Sequence, residues 1–179
     1  MRPAPIITLL SDFGTRDPYV ASMKGVVLSI CRNAKVVDIT HDIAKFNVLQ
    51  GGFALAAVIS YFPFGTTHVC VVDPGVGTKR RALLVRTKRS NLVGPDNGVL
   101  MPAASSEGIE RVIEIKNSKY MLDEVSPTFH GRDVFCSVAA YLANGVPMNE
   151  FGPETDEYIQ PGFSKPMVSG RSLLGEVIH

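Results

Sequence analysis

The feature that most restricts the fold is a pattern used three times in the first half of the chain: a short, largely apolar run that stops at a carboxylate-bearing loop. Residues 6–10 (IITLL) stop at Ser11-Asp12, residues 36–39 (VVDI) at Thr40-His41-Asp42, and residues 67–72 (THVCVV) at Asp73-Pro74-Gly75. The first run reads as a buried strand that ends in a polar loop, and the other two as further strands of a parallel sheet. Between them, residues 19–31 carry Val20, Met23, Val27 and Ile30 at a three-and-four spacing. Residues 48–62 are rich in Ala, Val, Ile and Leu and halt before Pro63 and Gly65. Both stretches predict helices. Strand, helix, strand, helix, strand is an α/β domain, and ligands of such sheets sit beyond the carboxyl ends of the strands. That rule puts Asp12, His41 or Asp42, and Asp73 on one rim.

Past Asp73 the pattern changes. Residues 82–86 and 91–93 predict short strands, and Gly94-Pro95-Asp96-Asn97-Gly98 is dense with turn formers. Ile113 and Ile115 flank Glu114 in a further strand, and residues 133–142 predict a helix that ends at Asn144-Gly145. From Pro147 onward Pro and Gly are frequent, until residues 173–178 (LLGEVI) read as the opening of another strand. The expected organisation is therefore an α/β domain over 1–160, then a linker and the start of a truncated second domain over 161–179.

Eighteen Lys and Arg against 17 Asp and Glu leave a net charge of +1. Phosphate-backbone binding relies on a cationic surplus, so nucleic acid is not an expected partner. The apolar run at the N-terminus meets Ser11 and Asp12 too early for a signal-peptide core or a membrane span, so a cytoplasmic protein without membrane partners is expected. Cys31, Cys70 and Cys136 are odd in number and form no CxxC pair, which predicts buried thiols in a reducing compartment rather than a disulfide frame or zinc knuckle. Two motifs mislead. Asp12-Phe13-Gly14 spells the kinase magnesium motif with only eleven residues before it, and Gly75-Val76-Gly77-Thr78-Lys79 lacks the spacing of a phosphate loop.

Four segments remain: SDFGTRDPYVASMKG (11–25), VVDPGVGTKRRALLV (71–85), GPDNGVL (94–100) and SPTFHGRDVF (126–135). In order and spacing they resemble the S-adenosyl-L-methionine hydroxide adenosyltransferases, relatives of the fluorinase and chlorinase, over residues 5–178. The resemblance implies a three-layer αβα domain with a mostly parallel sheet. It implies hydrolysis of S-adenosylmethionine to adenosine and methionine with no metal or redox cofactor, the sulfonium compound being the small-molecule substrate. By the same resemblance Asp12 holds the ribose hydroxyls, and Asp73, Arg80 and His130 form the catalytic set that positions and activates water. Phe46, Thr128 and Phe129 line the substrate pocket. Asp73 stands where fluorinase-like members place a Tyr, and Gly131 where halide-using relatives have a Ser, so both favour water over halide. Family members continue into a second, mostly β domain and form homotrimers with the site between subunits.

The residue chemistry suits this. A sulfonium leaves as a neutral thioether and needs no general acid, so the task is to fix the ribose 5′ carbon in line with a nucleophile. A carboxylate accepts from two vicinal hydroxyls at once. His130, with an ordinary pKa of about 6.5, is a candidate proton acceptor near neutral pH, whereas Arg80 stays protonated and can only orient or stabilise. Arg81, next in the Lys79-Arg80-Arg81 run, is the alternative to Arg80. Each residue also has a plain structural job: Asp12 and Asp73 as caps, His130 as a satisfied helix-start residue, Phe46 as core, Asp96-Asn97-Gly98 as a tight turn. Two other functions compete. One is a non-catalytic adenosine or S-adenosylmethionine binding module, and the other a metal-dependent phosphoesterase built on Asp12, His41, Asp42 and Asp73.

Overall fold

A computed structural model describes residues 3–161 and 167–175. The three apolar runs form β1 (Ile6–Ser11), β2 (Lys35–Thr40) and β3 (Thr67–Val71), joined through α1 (Tyr19–Ile30) and α2 (Val48–Val58). Then follow β4 (Ala82–Thr87), β5 (Asn91–Pro95), α3 (Met101–Glu107), β6 (Ile109–Glu114), a π-helical turn over Gly131–Cys136 and its continuation α4 (Ser137–Ala143). A separate exposed hairpin pairs β7 (Met167–Ser169) with β8 (Ser172–Leu174). The strand expected over residues 173–178 is therefore the short β8, and positions 176–178 lie outside the described residues.

The main sheet has six strands in the order β2-β1-β3-β5-β4-β6. The pairs β1–β2, β1–β3 and β3–β5 are parallel, and β4 runs against both its neighbours, which makes the sheet mostly parallel. Side chains alternate across each strand, so one face of the sheet packs Ile7, Leu9, Val69 and Val71 against Met23 and Val27 of α1 and Val138 of α4. The other face packs Leu10, Cys70 and Val72 against Leu55 of α2 and Ala103 and Ala104 of α3. Helices thus cover both faces. The crossovers after β1 and β2 leave on opposite sides, which creates a topological switch point between the carboxyl ends of β1 and β3. Asp12 and Asp73 follow those two ends.

Several expectations are corrected. The helix of residues 48–62 ends at Val58, and residues Ile59–Tyr61 tighten into a 3-10 turn, the usual way a last turn closes before Pro. α3 was not expected; its sequence MPAASSE has a weak apolar period, but Pro102 near its start and Gly108 at φ 83° after its end are the boundary signals. The helix of residues 133–142 begins earlier, at Gly131, in π geometry. All three cysteines are buried and free, as expected. Among the described residues, no helix is long and apolar enough to cross a membrane.

Candidate active site

Four loops meet above β1, β2 and β3. The first carries Asp12, which is buried and whose Oδ2 accepts the Phe46 N–H at 2.8 Å. Phe46 adopts φ 62°, a left-handed conformation that costs a side-chain-bearing residue about 1–2 kcal/mol. That bond to Asp12 contributes to holding it there, as do two contacts of the loop: Asn47 caps α2 through the Gln50 N–H at 3.0 Å, and Gln50 Oε1 accepts the Ala44 N–H at 2.7 Å. Phe46 is 62% exposed, so it is not a core residue. Asp12 is not a helix cap either, and a carboxylate with one donor attached retains capacity for hydroxyl groups.

Beneath Asp12, Ser11 Oγ lies 2.7 Å from His41 Nδ1, and His41 Nε2 lies 3.2 Å from Asp38 Oδ1. His41 is buried, and its carbonyl accepts the Gly14 N–H at 2.7 Å. His41 therefore faces into the fold and braces the Asp12 loop instead of standing on the rim. Asp42 is exposed. The four residues of the phosphoesterase reading do not converge, and among the described residues no group of three or more His, Cys, Asp or Glu is arranged to hold a metal ion.

The loop after β3 brings Asp73, Arg80 and His130 together. Asp73 is buried, and Arg80 grips it from two nitrogens: Nε lies 2.9 Å from Oδ2 and 3.1 Å from Oδ1, and Nη2 lies 2.6 Å from Oδ2. The same Nη2 lies 2.7 Å from His130 Nδ1. Arginine has only donors, so Nδ1 is the acceptor and the ring proton of neutral His130 sits on Nε2. Burial, followed by the Arg80 charge, pushes the His130 pKa below its ordinary value, against the opposing pull of Asp73 and Asp133. Arg81 goes elsewhere: its Nε donates to Asp96 Oδ2 at 2.8 Å and its Nη2 to the Glu157 carbonyl at 2.7 Å. Between the two arginines, Arg80 is the one that faces Asp73.

His130 and its neighbours are seated by the π turn. The extra residue in such a turn re-aims side chains. Here it buries Asp133 completely and lets its Oδ2 accept the Ser126 N–H at 2.8 Å, closing the loop 126–130. Gly77, at φ 77°, touches that loop: a Cβ on it would stand 2.5 Å from the Pro127 carbonyl, so no side chain fits where the two loops meet. Phe129 is buried in an aromatic trio, edge-on to Phe13 at 5.6 Å and to Tyr19 at 5.2 Å.

Asp12, Phe46, Asp73, Thr128, His130 and Gly131 line one cleft of about 140 Å³. Of the residues expected at the site, Phe129 is not on that wall; it lines a neighbouring recess with Tyr19, Lys45 and Arg132. Arg80 stands behind Asp73 as its support. Sequence reasoning missed Phe13, Lys45, Val71 and Val76, which also line the cleft. Lys45 was findable as the neighbour of Phe46, whereas Val71 and Val76 look like any strand and loop valine. A wider depression of about 370 Å³ lies by the β4–β5 hairpin, away from Asp12 and Asp73, lined by Phe64, Arg86 and Arg89 among others.

The SAM hydroxide adenosyltransferase N-terminal domain family matches residues 7–152. The (R)-S-adenosyl-L-methionine hydrolase of Salinispora arenicola is 41% identical over 163 residues, covering 90% of this chain and 60% of the relative. That of Methanocaldococcus jannaschii is 41% identical over 180 residues, covering 97% and 65%. The fluorinase of an Actinoplanes species is 30% identical over 201 residues, covering 98% and 67%. A crystal structure of an uncharacterized conserved protein from Thermotoga maritima superposes with a TM-score of 0.88 at 38% identity, covering 92% of this chain and 63% of that one. The chain thus spans less than two thirds of the length of the two hydrolases.

Proposed function

The chain belongs to the SAM hydroxide adenosyltransferase N-terminal domain family, and from that premise we propose that it supplies the water-positioning half of an S-adenosyl-L-methionine hydrolase. The observation that carries the reading is the Asp73–Arg80–His130 chain facing Asp12 across one cleft. In the reaction a water oxygen bonds to the ribose 5′ carbon as the carbon–sulfur bond breaks. The electron pair returns to sulfur, methionine leaves as a neutral thioether, and the water proton passes to a base. With Nδ1 engaged by Arg80, neutral His130 offers an Nε2–H donor, so Asp73 is the acceptor for that proton. Asp12 holds the ribose, and Phe46 and Thr128 pack along the substrate. No cofactor enters this scheme.

Asp73, in place of a Tyr, and Gly131, in place of a Ser, support water over halide as the nucleophile. The hydrolase relatives' name specifies the R configuration at sulfur, and we infer that the R sulfonium epimer is the substrate here. A cleft of about 140 Å³ is below the ~300–1,000 Å³ of sites that enclose a small ligand. This supports a site completed by another surface, for which the family resemblance offers a second, mostly β domain in a homotrimer. A cytoplasmic location belongs to the same reading.

The test is to give this chain, and in parallel the complete gene product, an epimeric mixture of S-adenosylmethionine with and without EDTA, and to follow adenosine and methionine by chromatography. Equimolar products from the R epimer, indifferent to EDTA and slowed at least ~100-fold by Asp73→Ala, are expected. Binding without turnover in the complete product would replace the hydrolase with a binding module.

A further inference from the structure

The GPDNGVL turn has so far no part in the chemistry, yet its side chains reach both ends of the loop that carries Asp73 and Arg80. Asn97 Nδ2 donates to the Val72 carbonyl at 2.8 Å, the peptide immediately before Asp73. Its Oδ1 accepts the Val99 N–H at 3.1 Å, so the Asn97 amide is fixed at both its ends. At the loop's other end, the Asp96 N–H donates to the Arg81 carbonyl at 3.0 Å, and Asp96 Oδ2 accepts from Arg81 Nε at 2.8 Å. Two consecutive side chains thus tie down the residue before Asp73 and the residue after Arg80.

That loop's own hydrogen bonds do not seat it on the sheet. Its internal bonds, Val76 N–H to the Asp73 carbonyl and Thr78 N–H and Oγ1 to the Gly75 carbonyl, set its shape but not its position. Strand pairing runs out beneath it: β3 pairs with β5 only as far as Val69–Val93 and with β1 as far as Val71–Ser11, and β4 begins at Ala82. The Val72 carbonyl, one residue beyond β3, is left to Asn97. Asp96 is buried, and its other oxygen accepts the Ile159 N–H at 2.8 Å, which spans the turn to the outgoing chain.

We propose that Asn97 and Asp96 are positioning residues that hold the Asp73–Arg80 loop in register with His130. The proposal rests on the hydrolase reading for its consequence in turnover, and on geometry alone for its consequence in structure. Arg80 Nη2 serves two acceptors at 2.6 and 2.7 Å, an arrangement with no slack. A displacement of about 1 Å at a reacting centre costs on the order of a hundredfold in rate. Asp12 lies on a different loop, so ribose binding does not depend on Asn97.

The experiment uses Asn97→Ala, which deletes the donor, and Asp96→Asn, which retains a carbonyl oxygen for Ile159 while losing the charge paired with Arg81. Nitrogen-15 NMR of His130 in substrate-free protein reports the Nδ1 hydrogen bond and the ring's titration. Turnover of S-adenosylmethionine by the complete gene product gives kcat and KM. The expected result is a weakened Nδ1 hydrogen-bond signature and a His130 titration moved up toward the ordinary histidine value in both variants. In turnover, kcat falls about 10- to 100-fold with KM within about threefold. Unchanged His130 spectra in folded variants overturn the proposal, as does a kcat loss matched by an equal rise in KM. If Asn97→Ala does not fold, the Asp96→Asn spectra decide. If the parent enzyme shows no turnover, the hydrolase reading fails, while the His130 spectra still decide the positioning claim.

Discussion

His68 offers a sharp test of the electrostatics of the core. It sits in β3 beside Thr8 of β1, fully buried, with Nδ1 2.7 Å from Thr8 Oγ1, the Phe62 ring edge-on at 5.3 Å, and Nε2 without a hydrogen-bond partner among the described residues. Burial lowers its pKa from 6.5 to about 4. The charged form is penalised only in the folded state. Above pH 6.5 both states are neutral and the group adds no pH dependence. Between 6.5 and about 4 the unfolded chain takes up a proton that the folded chain refuses, so stability falls as pH falls. Below about 4 both are protonated and the loss is complete. The move from 6.5 to about 4 corresponds to roughly 3 kcal/mol in total, of which about 2 kcal/mol is lost between pH 7 and pH 5. Urea unfolding of the parent and of His68→Gln at both pH values isolates the term, because contributions of other groups cancel in the difference. Gln keeps a polar partner for Thr8 and does not titrate. The parent should lose about 2 kcal/mol more than the variant on acidification. Parallel profiles, within about 0.5 kcal/mol of each other, refute the reasoning.

Three further outcomes follow from the site and the surface. His130 has a depressed pKa, so it stays neutral until the pH falls below the ordinary histidine range, and protonating Nδ1 then breaks the bond from Arg80; the acid limb of kcat/KM for the complete gene product should lie below pH 6.5, and a limb above 6.5 contradicts the assignment. Gly131→Ala places a Cβ 3.3 Å from the Phe13 ring and from Val71 Cγ1, so thermal or urea unfolding should show a loss of roughly 1–3 kcal/mol, and no loss would mean the Phe13 ring yields freely. Arg111→Ala breaks an ion pair with Glu154 whose side chains are 43% and 52% exposed, and should change stability by less than about 1 kcal/mol, checked by the same unfolding curves.

What the sequence made legible was set by local rules. The apolar runs at 6–10, 36–39 and 67–72 became β1 to β3, and the placement of Asp12 and Asp73 past parallel strand ends followed from topology alone. Position by position, the rules fail where long-range geometry decides. His41 sits in a loop of polar residues, yet Ser11 and Asp38 flank it inside the fold and draw it away from the rim. Arg80 and Arg81 are adjacent in sequence, yet one meets Asp73 and the other Asp96. Which is which depends on the loop's seat, a property of residues 72 and 97 that are 25 positions apart. Asp133 likewise looked like an ordinary helix residue, and its burial follows from the π turn, which no apolar period announces.

The arginine at the centre also fixes the division of labour around it. A guanidinium flanked by a carboxylate and an imidazole makes both of them acceptors toward itself. Their remaining capacities then differ: Asp73 still has free lone pairs, whereas neutral His130 presents Nε2–H. In the proposed reaction, a water shared between the two would donate one hydrogen to Asp73 and accept one from His130, keeping one lone pair for the ribose carbon. On that proposal the imidazole orients and the carboxylate accepts, the reverse of the role its ordinary pKa suggests for histidine. Burial and Arg80 both act against the imidazolium form. Both influences thus favour the neutral form on which that orientation depends.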